Sequence, residues 1–244
     1  MNLTVISKWY NERALARLWC EHYLAQGATA LRIIIDPDTD DDCAKIAATY
    51  GAEFVAAAPC GGFDEAAKMG AVNAIAATIT EGYILVVDAD EFAYSPEGLR
   101  LVHHLMFSPA PCHAVQYWQA YRHETEGPID ARPVLKQRRH GIAEPFGQGA
   151  AHWCKPAIVA ASCRPQWGPG HHNLTSPQVD TVCDLRGAHW AMADEELAVK
   201  RRLRARGRMS QRNYKTGMTS HNWHVTEAEI RRECAEHQKD EVQV

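Results

Sequence analysis

The residues with the plainest chemistry in this sequence are Asp88 and Asp90, which close the run Y-I-L-V-V-D-A-D-E-F from Tyr83 to Phe92. Two carboxylates spaced i, i+2 can aim oxygens at one hard divalent cation, and such a cation can offset charge on a departing diphosphate. The plain alternative is a strand that ends in a polar turn, where aspartate is common. The apolar stretch from Tyr83 to Val87 is what a strand covered on both faces requires. Asp88 and Asp90 are therefore expected at its carboxyl end, the edge along which an open α/β sheet binds ligands.

The elements upstream repeat that arrangement. Leu3 to Ser7 reads as a buried strand, followed by the polar Lys8-Trp9-Tyr10-Asn11-Glu12 and a helix whose apolar face is Leu15, Leu18, Trp19 and Tyr23. Asn11 is the expected N-cap, and Gly27 ends the helix. Leu31 to Ile35 is a second strand ending in Asp36-Pro37-Asp38 and further acids, with a helix from Cys43 to Tyr50 and a third strand from Glu53 to Ala57. An Ala-rich helix from Asp64 to Thr78 carries Lys68 and leads into the Tyr83 strand. Strands alternating with helices at this spacing predict a mostly parallel sheet with a ligand cleft along one edge, bordered by Asn11, Glu12, Asp36 and Asp88.

V-I-S-K-W-Y-N-E, I-I-I-D-P-D-T-D-D-D, G-G-F-D-E-A-A-K and I-L-V-V-D-A-D-E-F, in that order over roughly residues 1 to 105, resemble the nucleotide-binding half of family 2-like glycosyltransferases. The resemblance implies a GT-A-like α/β fold: a Rossmann-type mixed, mostly parallel sheet flanked by helices, with an irregular acceptor-side C-terminal region. It divides one domain into a donor- and metal-binding half, residues 1–110, and an acceptor-side half, 111–244. It further implies a nucleotide-sugar donor (a UDP-sugar or similar), a divalent cation (Mn or Mg), and transfer to the hydroxyl of a glycan or other acceptor. By position, Asn11 and Glu12 border the base and ribose, Asp36 meets the base edge, and Asp88 and Asp90 serve ribose and metal. Lys68 would add positive charge on the phosphate side, although a lysine on such a helix is also satisfied by solvent. Glu91 either supports the metal site or makes a local salt bridge. A downstream histidine completes the metal site in this resemblance: His189 first, His172 second, and His221 or His224 as a third choice.

Composition narrows the function classes. The 244 residues are 46% hydrophobic, enough for one sizeable core, and a net charge of -4 with pI near 6.3 gives no drive toward nucleic acid. Eight cysteines contain no C-x-x-C pair, which argues against a zinc ribbon or redox motif and for buried thiols in a reducing compartment. The chain starts on a strand pattern without a basic lead or cleavage site and has no apolar run of bilayer length. A cytoplasmic protein is expected.

The second half is less regular. Ser95 and Pro96 are expected to open a helix with Leu99, Val102, Leu105 and Met106 on its apolar face, and Cys112 to Tyr117 to form a strand. His171, His172 and His189 fall in stretches that read as loops, and Trp118, Trp153 and Trp167 are candidates for stacking on acceptor sugars. Asp194 to Arg208 reads as a helix with acids first and six basic residues later, suited to its dipole. Its arginines also suit a pyrophosphate, an anionic acceptor, or peripheral contact with the inner face of a membrane. No Q-x-x-R-W motif or Glu-Asp pair marks a general base, and Glu144 and Asp184 are candidates without a spacing argument. Two other classes stay open: a nucleotide- or glycan-binding module without turnover, and a histidine-based metal hydrolase, although H-E-x-x-H is absent.

Overall fold

The computed structural model describes residues 1–57, 62–143, 154–216 and 224–237. The N-terminal half runs β1 (Leu3–Trp9), α1 (Arg13–Ala25), β2 (Ala30–Ile35), α2 (Cys43–Ala48), β3 (Glu53–Ala56), α3 (Glu65–Ala76) and β4 (Tyr83–Val86). It continues through β5 (Glu91–Tyr94), α4 (Leu101–Phe107), β6 (Cys112–Tyr121), β7 (His140–Ala143), β8 (Cys154–Ala160), β9 (Gln166–Trp167) and β10 (Leu174–Ser176). β11 (Thr181–Met192), α5 (Glu195–Gly207), α6 (Gln211–Thr216) and α7 (Glu227–His237) complete the described elements.

Nine strands form one mixed sheet in the order β3-β2-β1-β4-β8-β6-β11-β5, with β7 beside β6. β1 to β4 are mutually parallel, and β6 and β11 run the same way because β8 lies antiparallel between β4 and β6. Among the described strands of this sheet only β5, β7 and β8 run opposite, so the α/β sheet is mostly parallel in direction, as the sequence predicts. The period of two along each strand splits the core between the faces. Leu3, Val5, Leu31, Ile33 and Leu85 pack with Leu15, Leu18, Trp19 and Tyr23 of α1, while Ile6, Ile34, Ile84 and Val86 pack with Met69, Val72 and Ile75 of α3. A third cluster joins Ala198 and Val199 of α5 to Ile230 and Cys234 of α7.

Several local expectations are corrected. Glu12, not Asn11, occupies the N-cap of α1; Asn11 has φ of 54° and spends its amide on the loop after β2, donating to Asp40 Oδ1 and accepting from the Asp40 and Asp41 amides. The fourth helix begins at Leu101, not at Ser95. Ser95 Oγ instead accepts from the Glu97 amide and pairs with His104 Nδ1, and Met106 is 58% exposed. His189 lies in β11 and not in a loop, because pairing with both β5 and β6 imposes extended geometry on a Gly-containing stretch of weak strand propensity. α5 matches its expected span closely, with Asp194 accepting from the Leu197 amide, and Thr226 and Glu229 cap α7 reciprocally.

His22 of α1 is buried against Phe92, its Nε2 donating to the Ala93 carbonyl at 2.8 Å. Burial pushes its pKa down to about 4. The unfolded chain, with a histidine near 6.5, binds a proton that the folded chain refuses between those values, so stability should rise with pH through this window and level off above it. His22→Gln, which keeps a donor, should flatten that rise by about 3 kcal/mol in urea unfolding between pH 4 and 7.

Candidate functional site

Strands that end together in a parallel sheet leave their last residues along one edge, and here those residues are acidic. Glu12, Asp36, Asp88, Asp90 and Glu91 all border one cleft of about 840 Å³, and all but the half-exposed Asp88 side chain are buried. Buried carboxylates need cations or hydrogen-bond donors, and each has one. Asp36 meets Arg208 Nη2 at 2.8 Å and Lys8 Nζ at 3.4 Å. Asp88 Oδ1 meets Lys68 Nζ at 2.6 Å, with Lys155 at 3.8 Å from its other oxygen. Asp90 Oδ2 meets Arg201 Nη1 at 2.7 Å and His189 Nε2 at 3.5 Å, and Arg201 also reaches Glu12 at 3.3 Å. Glu91 pairs with Lys155, lies 3.2 Å from His171 Nε2, and accepts from the Asp88 amide.

These partners set the charge states. Burial alone would raise the carboxyl pKa values, but Lys68, His171 and Lys155 outweigh it at Asp88, Arg201 and His189 outweigh it at Asp90, and the Arg208 hydrogen bond does so at Asp36. Glu91, buried against Lys155 and His171, is lowered to about 2. Glu12 is the exception: burial raises its pKa despite Arg201. The cleft floor therefore carries ionised aspartates beside one carboxyl that is easier to protonate.

The wall opposite the strands comes from α5 and the segment after it. Arg201, Arg204 and Arg208 recur at three and four residues, one helix face, and line the cleft; Arg204 and Arg208 lie 5.0 and 3.5 Å from the centroid of the Tyr10 ring. Residues 62–65 strap this wall to α3. The Phe63 amide donates to the Arg208 carbonyl, Ser210 Oγ donates to Asp64, and Asn213 accepts from the Glu65 amide. Gly62 has φ of 141°, and a Cβ there would stand 2.2 Å from the Arg208 carbonyl oxygen, so the strap needs glycine at that place.

Of the residues singled out in the sequence, Glu12, Asp36, Lys68, Asp88, Asp90, His172 and His189 line the cleft, while Asn11 does not. Lys68 is buried on Asp88 and not solvated, and Glu91 makes the local salt bridge. Asp88 and Asp90 point to different partners: Asp88 groups with Glu91 and His171, while Asp90 faces His189. Trp118 and Trp167 are core residues, their ring N–H groups donating to Tyr94 and to the Pro156 carbonyl. Asp184 lies outside the cleft, held by His104 and His113. Glu144, Trp153 and His221 lie outside the described residues. Sequence reasoning missed Lys8, Lys155, Arg201 and Arg208 individually. The 201, 204, 208 spacing was the available signal for the arginines, and a lone lysine in the apolar C-K-P-A-I-V-A run was the signal for Lys155.

No family model matches the sequence, and no curated protein matches it. Solved structures with a similar chain path include Staphylococcus aureus TarS residues 1–349 (12% identity, TM-score 0.44, 89% of this chain and 69% of that one). Glucosyl-3-phosphoglycerate synthase from Mycobacterium tuberculosis, solved with Mn2+, UDP and phosphoglyceric acid, is another (14%, TM-score 0.39, 70% and 60%). Mannosyl-3-phosphoglycerate synthase from Rubrobacter xylanophilus is a third (15%, TM-score 0.37, 52% and 43%). This chain spans less than two thirds of the two synthases. At these values the likeness concerns chain path, and no residue role is carried over from it.

The Glu91–Lys155 pair gives a direct test of the charge balance. Lys155→Met leaves Glu91 buried without its nearest cation, and should cost about 3–5 kcal/mol in urea unfolding at pH 7. Because Glu91 folds with a depressed pKa, the stability it contributes is present above about pH 4 and lost as pH falls toward 2. Lys155→Met removes that contribution and leaves burial to raise the Glu91 pKa, so its deficit against wild type should be largest at pH 7 and shrink as pH falls and Glu91 takes up a proton.

Proposed function

We propose that this chain is a glycosyltransferase that moves a sugar from a nucleotide-sugar donor, a UDP-sugar or similar, to an acceptor hydroxyl in cytoplasmic assembly of a surface or extracellular polysaccharide. The observation that carries the reading is the convergence of Glu12, Asp36, Asp88, Asp90 and His189 on one cleft at the carboxyl edge of the parallel strands. That edge is where an open α/β sheet binds nucleotides.

Asp90 Oδ2 and His189 Nε2, 3.5 Å apart and both facing the cleft, suit one divalent cation, since adjacent ligands on an octahedral ion lie about 3 Å apart. A mixed oxygen and nitrogen pair favours Mn2+ over Mg2+, which prefers oxygen. Asp88, Glu91 and His171 also cluster, but two lysines, Lys68 and Lys155, hold the carboxylates there, against the single Arg201 on Asp90. When bound, the cation supplies Lewis acidity to the departing nucleoside diphosphate. The chain's own residues do the rest. Asp36 offers an acceptor to the base edge, the Tyr10 ring offers a stacking face, and Asp88, anchored by Lys68, faces the ribose. Arg201 and Lys68 add fixed positive charge beside the diphosphate, where preorganised charge stabilises a transition state. Gln119, Tyr121 and Met192 line the part of the cleft left for an acceptor.

A second reading is a binding module without turnover. It is favoured by the closed state of the site, in which Arg201, Lys68 and Arg208 already neutralise the acids a donor would meet. Incubation with a panel of nucleotide sugars and Mn2+ separates the two. Acceptor-dependent release of nucleoside diphosphate supports the transferase, binding without release supports the module, and neither would remove the nucleotide reading altogether.

Asp90→Asn should weaken Mn2+-dependent UDP binding more than about tenfold, and His189→Ala should give a smaller version of the defect. Equal affinities for wild type and Asp90→Asn by titration calorimetry would end the metal assignment. At the other end of the cleft, a base that stacks on Tyr10 and bonds Asp36 takes the place now held by the Arg208 guanidinium. Arg208→Ala should therefore tighten UDP binding and Asp36→Asn should weaken it; the opposite pattern would make Arg208 a donor ligand instead.

A further inference from the structure

A second group of metal-competent side chains sits away from the cleft. His104 of α4, His113 at the start of β6 and Asp184 of β11 bring one ring nitrogen each and a carboxylate oxygen to within 4.8 Å of one another. His104 Nε2 is 2.9 Å from Asp184 Oδ2, and His113 Nδ1 is 2.9 Å from Oδ1 and 3.1 Å from Oδ2. Asp184 and His189 are five residues apart on one strand, roughly 16 Å at strand rise. The group is thus separate from the cleft.

The backbone departs from regular pairing to build it. The β6–β11 ladder breaks between Val182 and Leu185, which frees Asp184, and the β6–β8 ladder breaks between His113 and Val115 beside it. Such irregularities re-aim side chains at functional places. His104 is further fixed by its other nitrogen, with Nδ1 3.1 Å from Ser95 Oγ. An outer hydrogen bond of this kind orients a histidine whose second nitrogen binds a metal. His104 and His113 are buried, while the Asp184 side chain keeps 27% of its surface in solvent, leaving a side for entry and for a water ligand.

We propose that His104 Nε2, His113 Nδ1 and one Asp184 oxygen form a binding site for Zn2+ or a similar tetrahedral divalent cation. Two imidazoles and a carboxylate are the ligand types zinc takes, with a water as fourth. Adjacent ligands on a tetrahedral zinc lie about 3.3 Å apart, so the 2.9 Å contacts need open by only about 0.4 Å. Binding displaces the protons now shared between the rings and Asp184. The ion would clamp α4 to β6 and β11, three elements otherwise tied here by hydrogen bonds to one carboxylate.

The test titrates the full-length chain with Co2+, whose tetrahedral complexes absorb visibly, in four forms: wild type, Asp90→Asn/His189→Ala, Asp184→Asn and His104→Gln. Wild type and the cleft double variant should each show one equivalent of the visible band, displaced by Zn2+, together with a rise in Tm on adding Zn2+. Asp184→Asn, which preserves shape and most hydrogen bonding, should bind Co2+ more than about tenfold more weakly, and His104→Gln should lose the band. No band in wild type overturns the proposal. So does a band that survives in Asp184→Asn and His104→Gln, or one that disappears with the cleft residues.

Discussion

Five carboxylates on one strand edge would repel one another and resist burial, and the rest of this structure depends on how that charge is balanced. Each acid meets a cation from a different part of the chain: Lys8 from β1, Lys68 from α3, Lys155 from β8, and Arg201 and Arg208 from α5 and its end. A buried pair is weak evidence for net stability, but a buried charge left alone is costly. The helices and the later strands are therefore tied to the donor edge electrostatically as well as by packing. Moving α5 and the segment after it would strip Asp36, Asp90 and Glu12 of their arginines together, leaving Lys8 on Asp36 and His189 beside Asp90.

The same arrangement links stability to function. Under the proposed function, a donor that brings its own negative charge would compete for Lys68 and Arg201, and a divalent cation would compete with Arg201 for Asp90. Binding of the proposed donor would then be an exchange of ion pairs, in which the protein's cations pass from its own acids to the diphosphate. The local price is modest where the exchange is complete, because no charge is left without a partner. The strap from residues 62–65 to Arg208 and Asn213 holds the two walls of the cleft together.

β11 shows how one strand serves both ends of the molecule. Its middle, paired with β5 and β6, presents His189 to Asp90; its irregular beginning presents Asp184 to His104 and His113. Gly187 permits this central position, since a Cβ there would stand 2.4 Å from the Tyr117 ring. The packing of Phe92 against Trp190 and His22 then fixes β5, the strand that directly follows the acids, against α1.

The order of strands and helices through β4, the acids at the strand ends and the span of α5 were legible in the sequence, because each follows from local rules: period-two burial, Pro and Gly stops, and an Asp cap with acids first and bases last. What local pattern could not decide was pairing. Whether His189 belonged to a loop or a strand depended on β5 and β6 being its neighbours, and the start of α4 depended on Ser95 being drawn to His104. Whether Lys68 faced water or Asp88 depended on the fold of α3 over β4. The division of Asp88 from Asp90 was equally hidden, since i, i+2 spacing would put both on one face of a strand, whereas β4 ends at Val86 and the turn at Ala89 and Asp90 sends them to different partners. Sequence determined which side chains reach the edge; only the tertiary structure decided which opposite charges meet there, because those contacts join residues up to 189 positions apart.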